Sequence, residues 1–236
     1  MTVFRIATFV NDEEHYSAMR ASFEASGFTA PLARYTIETG EPYAGITRLG
    51  QAVEPYVLLV HQDVRCDRGD TASALQARLD ELTESDSKWI VAGNAGRCLG
   101  SPTAEHLAPV RNISDPHGTT WSPELPKKVV SLDENLLILR TAGKPRCSPE
   151  LSGWHLYGPD VALNAALAGG SAYVVDFRVT HLSAGNPGGF IVSSRRFSEH
   201  WRSRADALSA DDPAHASLAS MLSFLARFEA KAKRRA

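Results

Sequence analysis

The run Pro55-Tyr56-Val57-Leu58-Leu59-Val60 is unbroken in its apolar character and stops at once in His61-Gln62-Asp63. A strand with no polar face is covered on both sides, as strands are in the centre of a parallel sheet. The flanking patterns agree. Residues 3–10 read as a first buried strand, and Asn11 or Asp12 caps a helix to about Ser26 with acidic residues in its first turn. Gly27 ends that helix. Residues 33–37 predict a second strand and 44–52 a short helix. Ala74, Leu75, Leu79 and Leu82 give residues 71–82 a helical period, and residues 89–92 return as a strand. The order β-α-β-α-β-α-β predicts an α/β fold, with a mostly parallel central sheet and helices on both faces.

The pattern then breaks. Residues 93–128 are rich in Gly, Pro, Ser, Asn and His without a sustained period, which predicts a long functional loop. Residues 129–140 read as one strand with Asp133-Glu134-Asn135 in its middle. Residues 158–169 read as a helix, 171–176 as a strand and 178–181 as a short extended piece. Residues 185–189 form a Gly/Pro hinge, suited to a flap that closes over a ligand. Two helices follow, at about 193–208 and 214–232. The expectation is one domain over residues 1–190, with residues 191–236 as its helical C-terminal extension.

Charge and cysteine content narrow the function. A formal net charge of -2 gives no pull toward nucleic acid or an anionic membrane. Cys66, Cys98 and Cys147 are odd in number and widely spaced, which argues against a disulfide framework and for a reducing, cytoplasmic setting. The apolar stretches are strand-sized, so neither a transmembrane segment nor a signal peptide is expected.

Chemistry concentrates where strands end. In parallel α/β sheets ligands gather at the carboxyl ends of strands. His61 and Asp63, at i and i+2, point to one side there and suit Mn²⁺ or Mg²⁺; they equally suit an ordinary cap for the next element. Asp160 opens a helix, where a bland dipole charge is the competing role, and His181 ends a strand.

Those segments together resemble the family-two-like glycosyltransferases with a GT-A fold, in the short bacterial branch whose metal motif reads HQD. The resemblance rests on Val57–Val64, residues 129–138, Leu156-Tyr157-Gly158-Pro159-Asp160-Val161-Ala162-Leu163 and residues 179–185, and covers about residues 3–190. It implies that Asp63 with His61 and His181 holds a divalent metal (Mn²⁺ or Mg²⁺) bridging the diphosphate of a UDP- or GDP-type nucleotide sugar. It implies that Asp160 is the catalytic base of an inverting transfer, although Pro159 stands where the family usually has Glu. It puts Thr8, Phe9, Asn11, Gln62 and Gly93 beside the donor nucleotide.

The residues themselves suggest an acceptor side for a glycan or other hydroxyl compound. Asp133 stands beside it, or is a turn carboxylate. Trp121 and Trp154 offer flat faces to a sugar ring, one expected to touch ligand and the other to pack. His106, Arg111, Asn112 and His117 add polar groups, and Arg195 and Arg196 could reach the diphosphate. The C-terminal helices are compatible with a homo-oligomer. Rival readings are a nucleotidyltransferase, which lacks its Gly-rich basic loop here, a non-catalytic sugar-nucleotide or glycan-binding domain, and a metal-dependent hydrolase.

Overall fold

The computed structural model describes residues 2–100, 107–185, 187–205 and 213–233. In chain order the elements are β1 (Phe4–Phe9), α1 (Glu13–Ala25), β2 (Ala33–Glu38), α2 (Pro42–Leu49), β3 (Tyr56–Val60), β4 (Val64–Arg65), α3 (Ala72–Ser85) and β5 (Trp89–Gly93). There follow β6 (Ala95–Leu99), β7 (Leu107–Asp115), β8 (Gly118–Trp121), β9 (Lys127–Val129), β10 (Ser131–Leu132) and β11 (Leu136–Arg140). The chain continues with α4 (Tyr157–Leu167), β12 (Ser171–Val174), β13 (Val179–His181), α5 (Pro187–Ala205) and α6 (Pro213–Lys233).

The main sheet has the order β2-β1-β3-β11-β5-β12-β9. Because β11 is antiparallel to both β3 and β5, strands β1, β2, β3, β5 and β12 run one way, and β11 and β9 the other. Every residue of β3 and β5 is buried, as their unbroken apolar runs require. Alternation sorts their side chains between two faces. Leu58 and Val60 pack with Met19 and Phe23 of α1 and Leu75 and Leu79 of α3. Val57 and Leu59 pack with Ile46 of α2, Val161 of α4, Phe197 and Trp201 of α5 and Leu218 and Leu225 of α6. The C-terminal helices thus share the core of the sheet.

Three expectations change. The described residues of 93–128 are no irregular loop. They supply β6, β7 and β8 to a second sheet of order β10-β6-β7-β13-β4, with β8 on β7. Its period is masked because β8 is exposed throughout and β7 carries Pro109 and a buried Asn112. Residues 129–140 divide into β9, β10 and β11, and Asp133-Glu134-Asn135 forms the corner before β11. Pro187, Gly188 and Gly189 belong to the first turn of α5, so the expected hinge is largely helix. His106 lies outside the described residues.

Buried amides fix that corner. The Asn135 side chain donates to Asn94 Oδ1 at 3.1 Å, and Asn94 donates to the Asn112 carbonyl at 3.2 Å. Asn112 in turn donates to Asp176 at 2.9 Å. Buried polar groups that bond one another favour one arrangement, and here they tie the second sheet to the first.

Candidate metal centre and its cleft

Beyond Val60 the ladder continues for one bond, from the His61 N–H to the Asn135 carbonyl at 3.0 Å. The chain then turns, with Val64 N–H donating to the His61 carbonyl at 3.1 Å. In the pairing of β4 with β13, His181 stands opposite Val64, and the next N–H, Leu182, donates to the Asp63 carbonyl at 3.1 Å. Strand pairing thereby brings His61, Asp63 and His181 together. One potential ligand atom from each lies within 4.8 Å of the others. His181 Nε2 is 3.4 Å from Asp63 Oδ1.

The donor set fits a divalent cation. His61 Nε2 is engaged by the Tyr157 hydroxyl at 2.7 Å, which leaves Nδ1 for a ligand role and orients the ring. Burial, with His181 nearby, pushes His61 down to about 4, so it is neutral at pH 7 and offers a lone pair. Burial alone would raise Asp63. The hydrogen bond and charge of His181, with Ser183 and His61, override it and hold the carboxyl well below its usual range. Neutral imidazole and ionised carboxylate are the states metal binding requires.

Two cavities meet at this centre, and a third adjoins the second. A first, of about 530 Å³, is lined by Phe9, Val10 and Asn11 at the end of β1, Glu38 to Gly40 at the end of β2, and His61, Gln62 and Asp63 after β3. Gln62 Oε1 accepts from the Asn11 and Asp12 N–H groups at 2.9 and 3.1 Å, which fixes the lip of that cleft. Trp154, 55% exposed, closes the far side and meets Phe9 edge-on at 5.4 Å. A second cavity, about 570 Å³, contains His61, His181, Arg111, His117, Asp133 and Glu134. The third, about 800 Å³, shares Asp133, Glu134, His117 and His155 with the second and extends to α6.

Phe9, Asn11, Gln62, Trp154 and Asp133 therefore line the cleft with the three ligand candidates. Asp160 does not. It is fully buried, and its oxygens accept from Ser148 N–H at 2.7 Å, Ser148 Oγ at 2.9 Å, Trp201 Nε1 at 2.9 Å and Asn164 Nδ2 at 3.1 Å. Surrounded by protein donors, it cannot face an acceptor hydroxyl, and the expected base is corrected on that ground. Thr8 is fully buried within β1. Gly93 is a packing glycine: an added Cβ would stand 2.9 Å from the Leu136 carbonyl oxygen. Trp121 lies on β8 with the Arg178 guanidinium 5.7 Å from its ring and lines none of the three cavities. Asn112 is a buried structural amide, and Arg195 and Arg196 are exposed on α5 away from the cavities.

Glu134 is the residue that sequence reasoning passes over. It lines both the second and third cavities, and the Gly158 N–H at the start of α4 donates to its Oε1 at 3.4 Å. Burial pushes its carboxyl up to about 8, against the helix N–H groups that favour the charged form. Gly158 is required there, because a Cβ would come within 2.4 Å of the Leu132 carbonyl oxygen. The available signal was an acid inside an otherwise strand-like segment.

No family model matches the chain. Over 188 residues it is 33% identical to the protein called ATP synthase subunits region ORF 6 of Fuscovulum blasticum, covering 76% of this chain and 75% of that one. The chain belongs to that protein's family. The relative's name states no activity. Among solved structures, a mannosyltransferase from Pyrobaculum calidifontis in complex with GDP-Man and Mn²⁺ aligns over 94% of this chain and 69% of its own, with a TM-score of 0.54 and 11% identity. The family member described here thus has a glycosyltransferase-like α/β fold. A197 from STIV aligns over 77% of this chain and 85% of its own at a TM-score of 0.44, too distant to bear on the fold. No described helix is long and apolar enough to cross a membrane.

Proposed function

We propose that this protein is a divalent-metal-dependent glycosyltransferase of the GT-A type. It would move a sugar from a UDP- or GDP-type nucleotide sugar to a hydroxyl acceptor, with inversion. One observation carries the reading: His61, Asp63 and His181 converge at the strand-end cleft where an α/β sheet collects its ligands. The GDP-Man and Mn²⁺ bound by the structural neighbour are in keeping with such a site.

In this reading Asp63, His61 and His181 hold Mn²⁺ or Mg²⁺. When bound, the cation offsets the negative charge of the donor diphosphate as a Lewis acid. Phe9, Asn11, Gln62 and Trp154 receive the nucleoside in the first cavity. Glu134, at the junction of the second and third cavities, takes the part first given to Asp160. The acceptor oxygen bonds to the anomeric carbon as the C–O bond to the diphosphate breaks, its electron pair leaving on the phosphate. The acceptor proton passes to Glu134 in its ionised form, a form that a carboxyl near 8 populates increasingly as pH rises above 7. The three free cysteines accord with a cytoplasmic setting.

The burial of Asp160 also favours a second reading, a binding domain that keeps the donor site without turnover. Thermal-shift titration with UDP and GDP, with and without Mn²⁺, tests the donor site, because binding raises apparent stability by mass action. Metal-dependent stabilisation that vanishes in Asp63→Ala supports it; equal stabilisation in that variant refutes the metal assignment. Transfer or hydrolysis of labelled nucleotide sugars separates enzyme from binder.

A further inference from the structure

The third cavity has two chemically distinct ends. Asp133 and Glu134 form its inner end, where it opens into the metal cavity. Its outer wall is Phe190 of α5 with Met221, Phe224 and Phe228 of α6. Those side chains form one surface. Phe190 and Phe228 pack edge to face at 4.8 Å, and the Arg97 guanidinium lies over Phe224 at 4.4 Å. Phe228 keeps 39% of its surface exposed.

A small polar sugar would cover the carboxylates and leave the aromatic wall wet. A purely apolar ligand would strip water from Asp133 and Glu134 without replacing their hydrogen bonds, which is unfavourable for such groups. An occupant that satisfies both ends carries hydroxyls at one end and an apolar body at the other. We infer that the acceptor is amphipathic: a sugar or polyol bearing an alkyl or aromatic aglycone, with its hydroxyl toward Glu134 and its apolar part against α5 and α6. This rests on the transferase reading for its hydroxyl-to-donor orientation, while the binding itself is measured without turnover.

The probes are octyl and phenyl β-glucosides and β-galactosides, the octyl compounds kept below their micelle-forming concentrations, against the methyl glycosides. The readout is the ¹³C-methyl NMR signal of Met221 in the full chain. The octyl compounds, the phenyl compounds or both are expected to shift Met221 with at least ~30-fold tighter binding than the methyl compounds, since burial of three methylenes alone gives roughly 50-fold. Whether the octyl or the phenyl series binds more tightly distinguishes an alkyl from an aromatic aglycone. The exposed Phe228→Glu should abolish the shift. Leu167→Glu, an exposed apolar position that does not line this cavity, should leave it intact.

No saturable shift with any of the longer glycosides, or shifts of equal affinity in Phe228→Glu, would overturn the inference. Nucleotide titration in Mg²⁺ runs in parallel. Donor binding without a Met221 response removes the amphipathic acceptor and leaves the transferase standing. A Met221 response without donor binding supports the cavity's ligand class and removes the transferase.

Discussion

Asp63 and Asp160 are carboxylates near the ends of regular elements, yet their surroundings assign them opposite work. Asp63 is partly exposed at the cleft, with an imidazole 3.4 Å away and a second close by. Asp160 is sealed from water, and four donors from a loop, its own helix and α5 fill its lone pairs. One is free to bind something absent from the fold; the other is a joint between α4, the Ser148 segment and α5. A carboxylate's function follows from which of its lone pairs the protein leaves unused.

The comparison breaks most sharply on stability. Asp160→Ala leaves buried N–H and O–H groups without partners, at about 1–3 kcal/mol for each that water cannot reach, so a loss of roughly 3–5 kcal/mol is expected in urea unfolding. Asp63→Ala should destabilise the metal-free protein less, since it removes one imidazole contact at 3.4 Å rather than a carboxylate filled by four buried donors. It should nevertheless abolish Mn²⁺-dependent nucleotide binding. An Asp160→Ala protein as stable as the parent but devoid of transfer would reverse the assignment.

Glu134 sharpens the same contrast, as a carboxyl that lines the second and third cavities. Glu134→Gln is expected to lower the transfer rate by ~10²–10⁴-fold, the usual contribution of a general base, with metal-dependent nucleotide affinity unchanged. A wild-type rate in Glu134→Gln removes it from the chemistry. A parallel loss of nucleotide affinity would show instead that it supports the metal cavity.

How far the sequence could reveal this depended on whether neighbours in the chain carry the information. The apolar run through Val60, the cap at Asp12 and the helical period of α3 are local, and each appears at its expected place. His61 and Asp63 could be marked because they end such a run. Side-chain partnership is not local. Ser148, Asn164 and Trp201 converge on Asp160 from 12, 4 and 41 residues away, and no periodicity announces them. The second sheet was hidden for a related reason: β8 buries nothing, and the Asn94–Asn112–Asn135 network places polar residues where a core pattern expects apolar ones.

A pH titration of stability tests the Glu134 environment without any substrate. Its carboxyl is held near 8 in the fold against an ordinary 4.5, so the folded state binds that proton more tightly than the unfolded chain. The resulting stabilisation is complete below about 4.5 and is lost as pH rises through 8. His61, lowered from 6.5 to about 4, acts in the opposite sense: its contribution is present above 6.5 and is lost as pH falls toward 4. Between pH 7 and 9 the Glu134 effect changes and that of His61 does not, while the raised Cys66 and Cys147 thiols act alike in wild type and Glu134→Gln. The metal-free wild type should lose on the order of 1 kcal/mol there relative to Glu134→Gln. Parallel curves would mean that Glu134 is solvated.

The smallest expected effect separates two tryptophans as the two aspartates are separated above. Trp154 closes the first cavity with more than half its surface free, whereas Trp121 lies on β8 against Arg178. An exposed ring that stacks on a nucleoside or sugar contributes about 0.5–1.5 kcal/mol, a factor of roughly 2–12 in affinity. Trp154→Ala should weaken Mn²⁺-dependent UDP or GDP binding within that range, and Trp121→Ala should leave it unchanged, in side-by-side calorimetric titrations. If Trp121→Ala produced the larger loss, the nucleoside would lie toward β8 and the first cavity would no longer be the donor's.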